Sequence, residues 1–179
     1  MVKASTSRDD WIDAAYAAFL RDGLGAVRVE PLARALGATK GSFYWHFTDR
    51  AALVDEVVAR WETEQTDAVI TLAEAGGTPR ERLEGLFAAV AAMRRDAAAL
   101  LYVEAAAHGV GDAVVRVTRR RIDYLAGLLV ELGQDPDEAR RRSVVALATV
   151  LGIDQLRLVR LPDLADPALT ATALAMVLA

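Results

Sequence analysis

Lys40 follows a threonine directly and precedes Ser42 by two positions, and three ring side chains, Tyr44, Trp45 and His46, come within the next turn and a half. A cation, two hydroxyls and flat rings with polar tips suit a phosphate or the edge of a base. An ammonium can contact a phosphate or guanine O6 and N7. The hydroxyls of Thr39 and Ser42, beside the free N–H groups of a helix start, favour an anion, and Gly41 lets the backbone approach closely. Phe43 and Phe47, four residues apart, share one helical face and read as core, with Leu53 joining them a turn into the next helix. Tyr44, Trp45 and His46 are consecutive and cannot all face inward, so they are expected on the surface.

Such a set works only if a short helix is held across another. Leu32, Ala33 and Leu36 precede Gly37, and Phe43 follows it. The small Ala33 allows a close crossing, Gly37 a tight turn, and Phe43 buries the second helix on the first. That is the logic of a helix-turn-helix, whose second helix enters the major groove. Before it, Trp11, Ile12, Ala15, Tyr16 and Phe19 recur at helical spacing up to Gly23. Pro31 sits in a first turn. Thr39 is placed to cap a short helix through about Phe47, and Asp49 a long one to about Ala75. Gly76-Gly77 breaks the chain, and further helices are expected near 79–95, 97–108, 112–132, 136–160 and 167–178. No segment alternates with period two long enough to make a strand. The expected fold is all-α with about nine helices. A three-helix unit over residues 1–48 runs into a larger helical domain over 49–179.

Charge and composition narrow the function classes. The chain of 179 residues carries a formal charge of −4. Residues 1–52 nevertheless hold Lys3, Arg8, Arg21, Arg28, Arg34, Lys40 and Arg50 against Asp9, Asp10, Asp13, Asp22, Glu30 and Asp49, a net positive count. Local charge governs a docking face more than the total does. There is no cysteine, so disulfides, thiolate nucleophiles and thiolate metal sites are excluded. The two histidines, His46 and His108, lie far apart and make no metal set. With no Gly-rich phosphate loop either, little catalytic equipment remains, and neither an enzyme nor a cofactor is expected. Mean hydropathy is +0.21, yet no apolar run approaches the roughly 18–20 residues that span a bilayer. The start "MVKASTSRDDW" has no apolar segment behind Lys3. A cytoplasmic location is expected.

The stretch "ALGATKGSFYWHFTDRAALVDEVV" resembles the N-terminal signature of the TetR family of bacterial transcriptional repressors. The likeness covers about residues 9–60; beyond them only length and helical layout agree. It implies a DNA-reading helix formed by Thr39, Lys40, Gly41, Ser42, Tyr44, Trp45 and His46, with Lys40 and Tyr44 nearest the bases. Arg50 resembles the family's phosphate-gripping basic residue, and Arg28 is expected as a further phosphate contact. Arg28 and Val29 stand where members often begin the second helix with Thr, and Thr48 where some carry Lys. The resemblance also implies a homodimer on an inverted-repeat operator, released by a small-molecule effector bound in the C-terminal domain. The alternatives are a helical protein-interaction module or a small enzyme that does not bind DNA.

For the effector, the polar and aromatic residues set in apolar helices are Trp61, Gln65, Phe87, Met93, Tyr102, Glu104, His108 and Tyr124. Together they suggest a mostly apolar cavity with a few polar groups. The Arg119–Arg121 and Arg140–Arg142 runs read as solvated faces. Two strongly apolar segments, Ser143–Leu161 and Asp166–Ala179, are costly to expose. Their small residues, among them Ala148, Gly152, Ala171 and Ala175, allow close packing against a second chain or against the monomer's own core. Asp154 stands alone in the apolar run. It can pair with Arg157 at i+3 or project into the pocket or the interface.

Overall fold

The computed structural model describes residues 6–92, 100–160, 162–166 and 168–178, and among these it is helical with no strand. Helix α1 spans Arg8–Asp22. Ser7 and Asp10 start it with a reciprocal capping box, Asp10 N–H to Ser7 Oγ (3.1 Å) and Ser7 N–H to Asp10 Oδ2 (2.8 Å). A short 3₁₀ turn at Leu24–Ala26 leads to α2, Val29–Leu36. Gly37 closes α2 in the left-handed conformation, φ 60°. Helix α3, Lys40–Phe43, is a single turn started by Thr39, whose Oγ1 accepts from Ser42 N–H. Expected through Phe47, it gives way to turns at Tyr44–His46. Phe43 and Phe47 must both enter the core, and a tightened turn carries the backbone down to them.

Asp49 Oδ1 accepts from Ala52 N–H (2.9 Å) and starts α4, Arg50–Glu62. The long helix expected to about Ala75 is continuous but widens into a π-turn at Thr63–Asp67 before α5, Ala68–Glu74. No sequence signal marks that turn. Gly76 is obligatory in the following break, since a Cβ there would lie 2.8 Å from backbone atoms of Glu81 and Arg82. Then come α6, Pro79–Ala92, α7, Leu101–Glu104, and α8, Gly111–Glu131. Helix α9, Pro136–Arg157, is capped by Asp135, and α10 is Leu169–Leu178. The helix expected to Arg160 stops at Arg157 because the chain turns ahead of Pro162. Arg160 takes a left-handed conformation (φ 59°), and Arg157 Nε holds the loop by donating to Leu164 O (3.2 Å).

Two apolar clusters form. The first packs Trp11, Phe19, Leu24, Phe43, Leu53 and Val57 together with Leu101, Ala105, Val110, Val114 and Val117. It therefore runs across the boundary expected at residues 48 and 49 and locks α7 and the start of α8 onto the N-terminal helices. The second joins Leu125, Leu129, Ala139, Ala146, Val150 and Leu174, with Leu83, Leu86, Phe87 and Val90 packed against it. No helix among the described residues is long and apolar enough to cross a membrane.

Candidate nucleic-acid interface and ligand cavity

Aromatic packing aims α3. Phe43 is fully buried, edge-on to Trp11 (5.3 Å between ring centres) and stacked on Phe47 (5.3 Å). With Phe43 as the pin, the opposite face projects outward. Tyr44 is 55% and Trp45 88% exposed. Exposing an indole so fully leaves a large apolar surface in water, which a monomer gains nothing from. Thr39, Lys40 and Gly41 are exposed beside them, and Arg28 is exposed at the start of α2.

Not every residue expected on this face is free to act there. Lys40 Nζ is paired with Glu30 Oε1 at 2.6 Å. Ser42 Oγ donates its only proton to Thr39 O (2.8 Å), so it can accept but not donate to a phosphate. His46 Nε2 lies 2.9 Å from Thr6 O and ties down the segment before α1. Arg50, expected to grip phosphate, instead turns inward. Its Nε donates to Val27 O (2.5 Å) and its Nη2 to Leu24 O (2.7 Å). In the 3₁₀ turn between α1 and α2 Leu24 O accepts from Val27 N–H (3.1 Å), and the guanidinium at the start of α4 adds a second bond to it and satisfies Val27 O beyond the turn.

A second site lies between the two apolar clusters: a cavity of about 110 Å³ walled by α4, the π-turn, α5, α6, α7, α8, α9 and α10. Trp61, Gln65, Phe87, Tyr102 and Tyr124 all line it. Met93 lies outside the described residues. His108 is half-buried after α7 and does not line the cavity, and Glu104 faces the N-terminal helices instead. The polar corner includes residues that the sequence reading passed over. Arg121 Nε donates to Thr66 Oγ1 (3.0 Å) and its Nη2 to Gln65 O (3.0 Å), both in the π-turn, while the guanidinium lies 5.0 Å from the Trp61 ring centre. Within the Arg119–Arg121 run this residue is not a solvated face. Its position in register with Val114, Val117, Leu125 and Leu128 on the buried stripe of α8 was the available signal. Asp154 and Ser143 line the cavity from α9. The Asp154 side chain is 4% exposed and pairs with Arg157 at 3.3 Å. Tyr124 OH donates to Glu74 Oε1 (2.6 Å) and joins α8 to α5. No group of three or more potential metal ligands occurs among the described residues.

The face that α9 and α10 turn away from the cavity is apolar as well. Ala148, Gly152, Ala171 and Ala175 are all exposed, and around them Val145 is 51%, Leu156 53%, Val159 63% and Met176 76% exposed.

Residues 12–57 match the family of bacterial regulatory proteins, tetR family. Over 65 residues the chain is 31% identical to the HTH-type transcriptional regulator AcrR of Shigella flexneri, covering 36% of this chain and 29% of that protein. Over 87 residues it is 30% identical to the HTH-type transcriptional repressor KstR2 of Mycobacterium tuberculosis (strain CDC 1551 / Oshkosh), covering 49% of this chain and 44% of that one. The chain thus matches less than half the length of these curated relatives. Whole-chain likeness comes from solved structures. A transcriptional regulator from Rhodococcus sp. Rha1 superposes with a TM-score of 0.79 at 22% identity, covering 97% of this chain and 94% of that one. Reduced NemR of E. coli gives 0.77 at 18%, covering 95% and 94%. At these identities the structures share the fold.

Proposed function

We propose that the chain is a member of the tetR family of bacterial regulatory proteins, which its residues 12–57 match, and that it is a cytoplasmic transcriptional repressor, not an enzyme. It binds an inverted-repeat operator as a homodimer and leaves it when a small molecule occupies the C-terminal cavity. The observation that carries the DNA reading is the outward surface of α3 and the turn that follows it, where Trp45 is 88% exposed beside Tyr44 and near Lys40 on a segment pinned from behind by Phe43. Thr39, Lys40, Gly41, Tyr44 and Trp45 enter the groove. Arg28 meets the backbone, and Ser42 acts as an acceptor. His46 and Arg50 support this surface from within. Residues 1–48 read DNA, and residues 49–179 hold the effector and the partner.

Dimerisation is supported by the second apolar face of α9 and α10, which the monomer leaves in water. Two copies joined there form a four-helix interface through Ala148, Gly152, Ala171 and Ala175. A two-fold dimer presents its reading helices to half-sites about one helical turn, roughly 34–36 Å, apart.

The effector is an apolar molecule with one polar group. Trp61, Phe87, Tyr102 and Tyr124 surround its body, and the polar group meets the corner of Arg121, Thr66 and Tyr102. Helix α4 links the sites, since it starts at Asp49 under the reading unit and reaches the cavity at Trp61. Selection of duplexes from a random pool tests the DNA reading. Inverted repeats bound by a dimer support it, whereas no enrichment over a Trp45→Ala, Lys40→Ala protein rejects it.

A further inference from the structure

We propose that Glu104 is the positioning residue through which the state of the cavity reaches the DNA-reading unit, by way of the turn between α1 and α2. The proposal rests on the regulator reading above and adds a second route beside α4.

The peptide of Leu24 is held on both sides by residues distant in sequence. Its N–H donates to Glu104 Oε2 (2.9 Å) from α7, and its carbonyl accepts from Arg50 Nη2 (2.7 Å) from α4. Gly23 makes the first contact possible. A Cβ there would lie 3.0 Å from Glu104 Oε2 and 3.1 Å from Oε1, and φ is +80°. The carboxylate therefore rests against bare backbone, and its bond to the N–H is charge-assisted. The turn it holds leads within four residues to α2, on which α3 is packed.

Tyr102 stands two residues before Glu104 in the single turn of α7. At about 100° per residue the two side chains point to opposite sides of that turn. Tyr102 lines the cavity, and its hydroxyl takes a hydrogen bond from Thr118 Oγ1 (3.2 Å). Leu101 is fully buried and Ala105 6% exposed, in the cluster that also contains Trp11 and Phe43. A close-packed core passes a displacement on instead of absorbing it. A group that enters beside Tyr102 and shifts α7 by about an ångström carries Glu104 beyond hydrogen-bonding reach of Leu24. The turn between α1 and α2 then loses one of its two holds, and with it the setting of α2 and α3. A simple tether would hold the same turn but would be indifferent to what happens at Tyr102.

The test is a double-mutant cycle on operator affinity. It uses the full chain and a duplex enriched from a random pool by the wild-type protein. Tyr102→Trp places a larger ring at the cavity wall and stands in for an occupant. It should weaken operator binding roughly five-fold or more. In a Glu104→Ala background the same change should cost less than about two-fold, the mark of coupled residues. Glu104→Gln keeps an acceptor oxygen for Leu24 N–H and should restore the full loss. Circular dichroism and light scattering check fold and assembly, and Glu104→Met, of equal length without an acceptor, replaces Glu104→Ala if that variant unfolds. Equal losses in both backgrounds, or no loss from Tyr102→Trp alone, overturn the proposal. A pool that enriches no duplex overturns the regulator reading and the proposal with it.

Discussion

Lys40 Nζ lies 2.6 Å from Glu30 Oε1, both side chains exposed, so on the proposed reading operator phosphates or bases compete with a carboxylate for this ammonium. The hydrogen bond to Glu30 holds Lys40 above the ordinary lysine range, and the same bond holds Glu30 below the ordinary carboxylate range. Exposed pairs of this kind are weak. Glu30→Gln should therefore tighten operator binding, by roughly two- to five-fold at low salt, because the competitor and a negative charge leave together. Looser binding in fluorescence anisotropy would mean that Glu30 positions Lys40 instead of opposing the DNA. Lys40→Ala separates two further roles. If the ammonium reads a base, affinity falls roughly 5–150-fold and discrimination at one position relaxes. If it holds phosphate, affinity falls evenly across sequences and the salt slope drops by about one. Unchanged affinity refutes both.

Among the elements, the start of α4 performs two tasks with adjacent residues. Asp49 caps the helix through Ala52 N–H, and Arg50 satisfies the carbonyls of Leu24 and Val27. Asp49→Ala should lower stability by about 1 kcal/mol, the usual worth of an N-cap. Arg50→Ala strands the Val27 carbonyl and takes one of two bonds from Leu24 O, and should cost about 1–3 kcal/mol. Urea unfolding measures both. If Arg50 gripped phosphate, its loss would instead reduce the salt slope of operator binding and leave stability unchanged. Tyr124 joins α8 to α5, and burial, aided by its bond to Glu74, pushes its phenol well above the ordinary tyrosine range. A raised acid holds its proton longer in the fold than in the unfolded chain. The stability it contributes is whole below about pH 10, the unfolded value, and is lost as pH rises further. Tyr124→Phe should flatten that alkaline limb of a thermal-stability profile; an unaltered limb assigns the loss to other groups.

At the scale of the whole molecule, α9 has two apolar faces, one on the cavity and one in water. The outer face holds Gly152, whose Cβ would meet nothing within 4 Å. Gly152→Arg should therefore fold as a monomer but fail to pair. Light scattering should show the mass halved, and operator affinity should fall although the reading helix is untouched. A stable monomer of the wild-type protein with full operator affinity would reject the dimer. The cavity lies on the inner face, where Ala146 is buried. Ala146→Trp should fill it and blunt the response to the effector more than it alters DNA binding by the free protein. Reciprocity sets a further demand: an effector that weakens operator binding by some factor must itself be weakened by operator to the same factor. Calorimetry that finds one ligand affinity with and without operator removes this mechanism.

Local chemistry made the helices and caps of the N-terminal unit legible in the sequence. Thr39 and Asp49 announce caps, Gly37 a left-handed turn, and Phe43 with Phe47 a buried face, because each acts through neighbours within about four residues. The aromatic composition of the cavity was legible too, since Trp61, Phe87, Tyr102 and Tyr124 interrupt apolar helices at positions that face inward. Tertiary structure decided what the inward charged groups bind, although the register of Arg121 on α8 already signalled its burial. Arg50 reaches back 26 residues to Leu24, and Arg121 reaches back 55 to Thr66. Glu104 finds Leu24 across 80 residues of chain. A guanidinium or carboxylate reads as solvated wherever its own helix leaves it exposed. Only the packing of a second element, bringing backbone groups that need a partner, gives such a charge a reason to leave water.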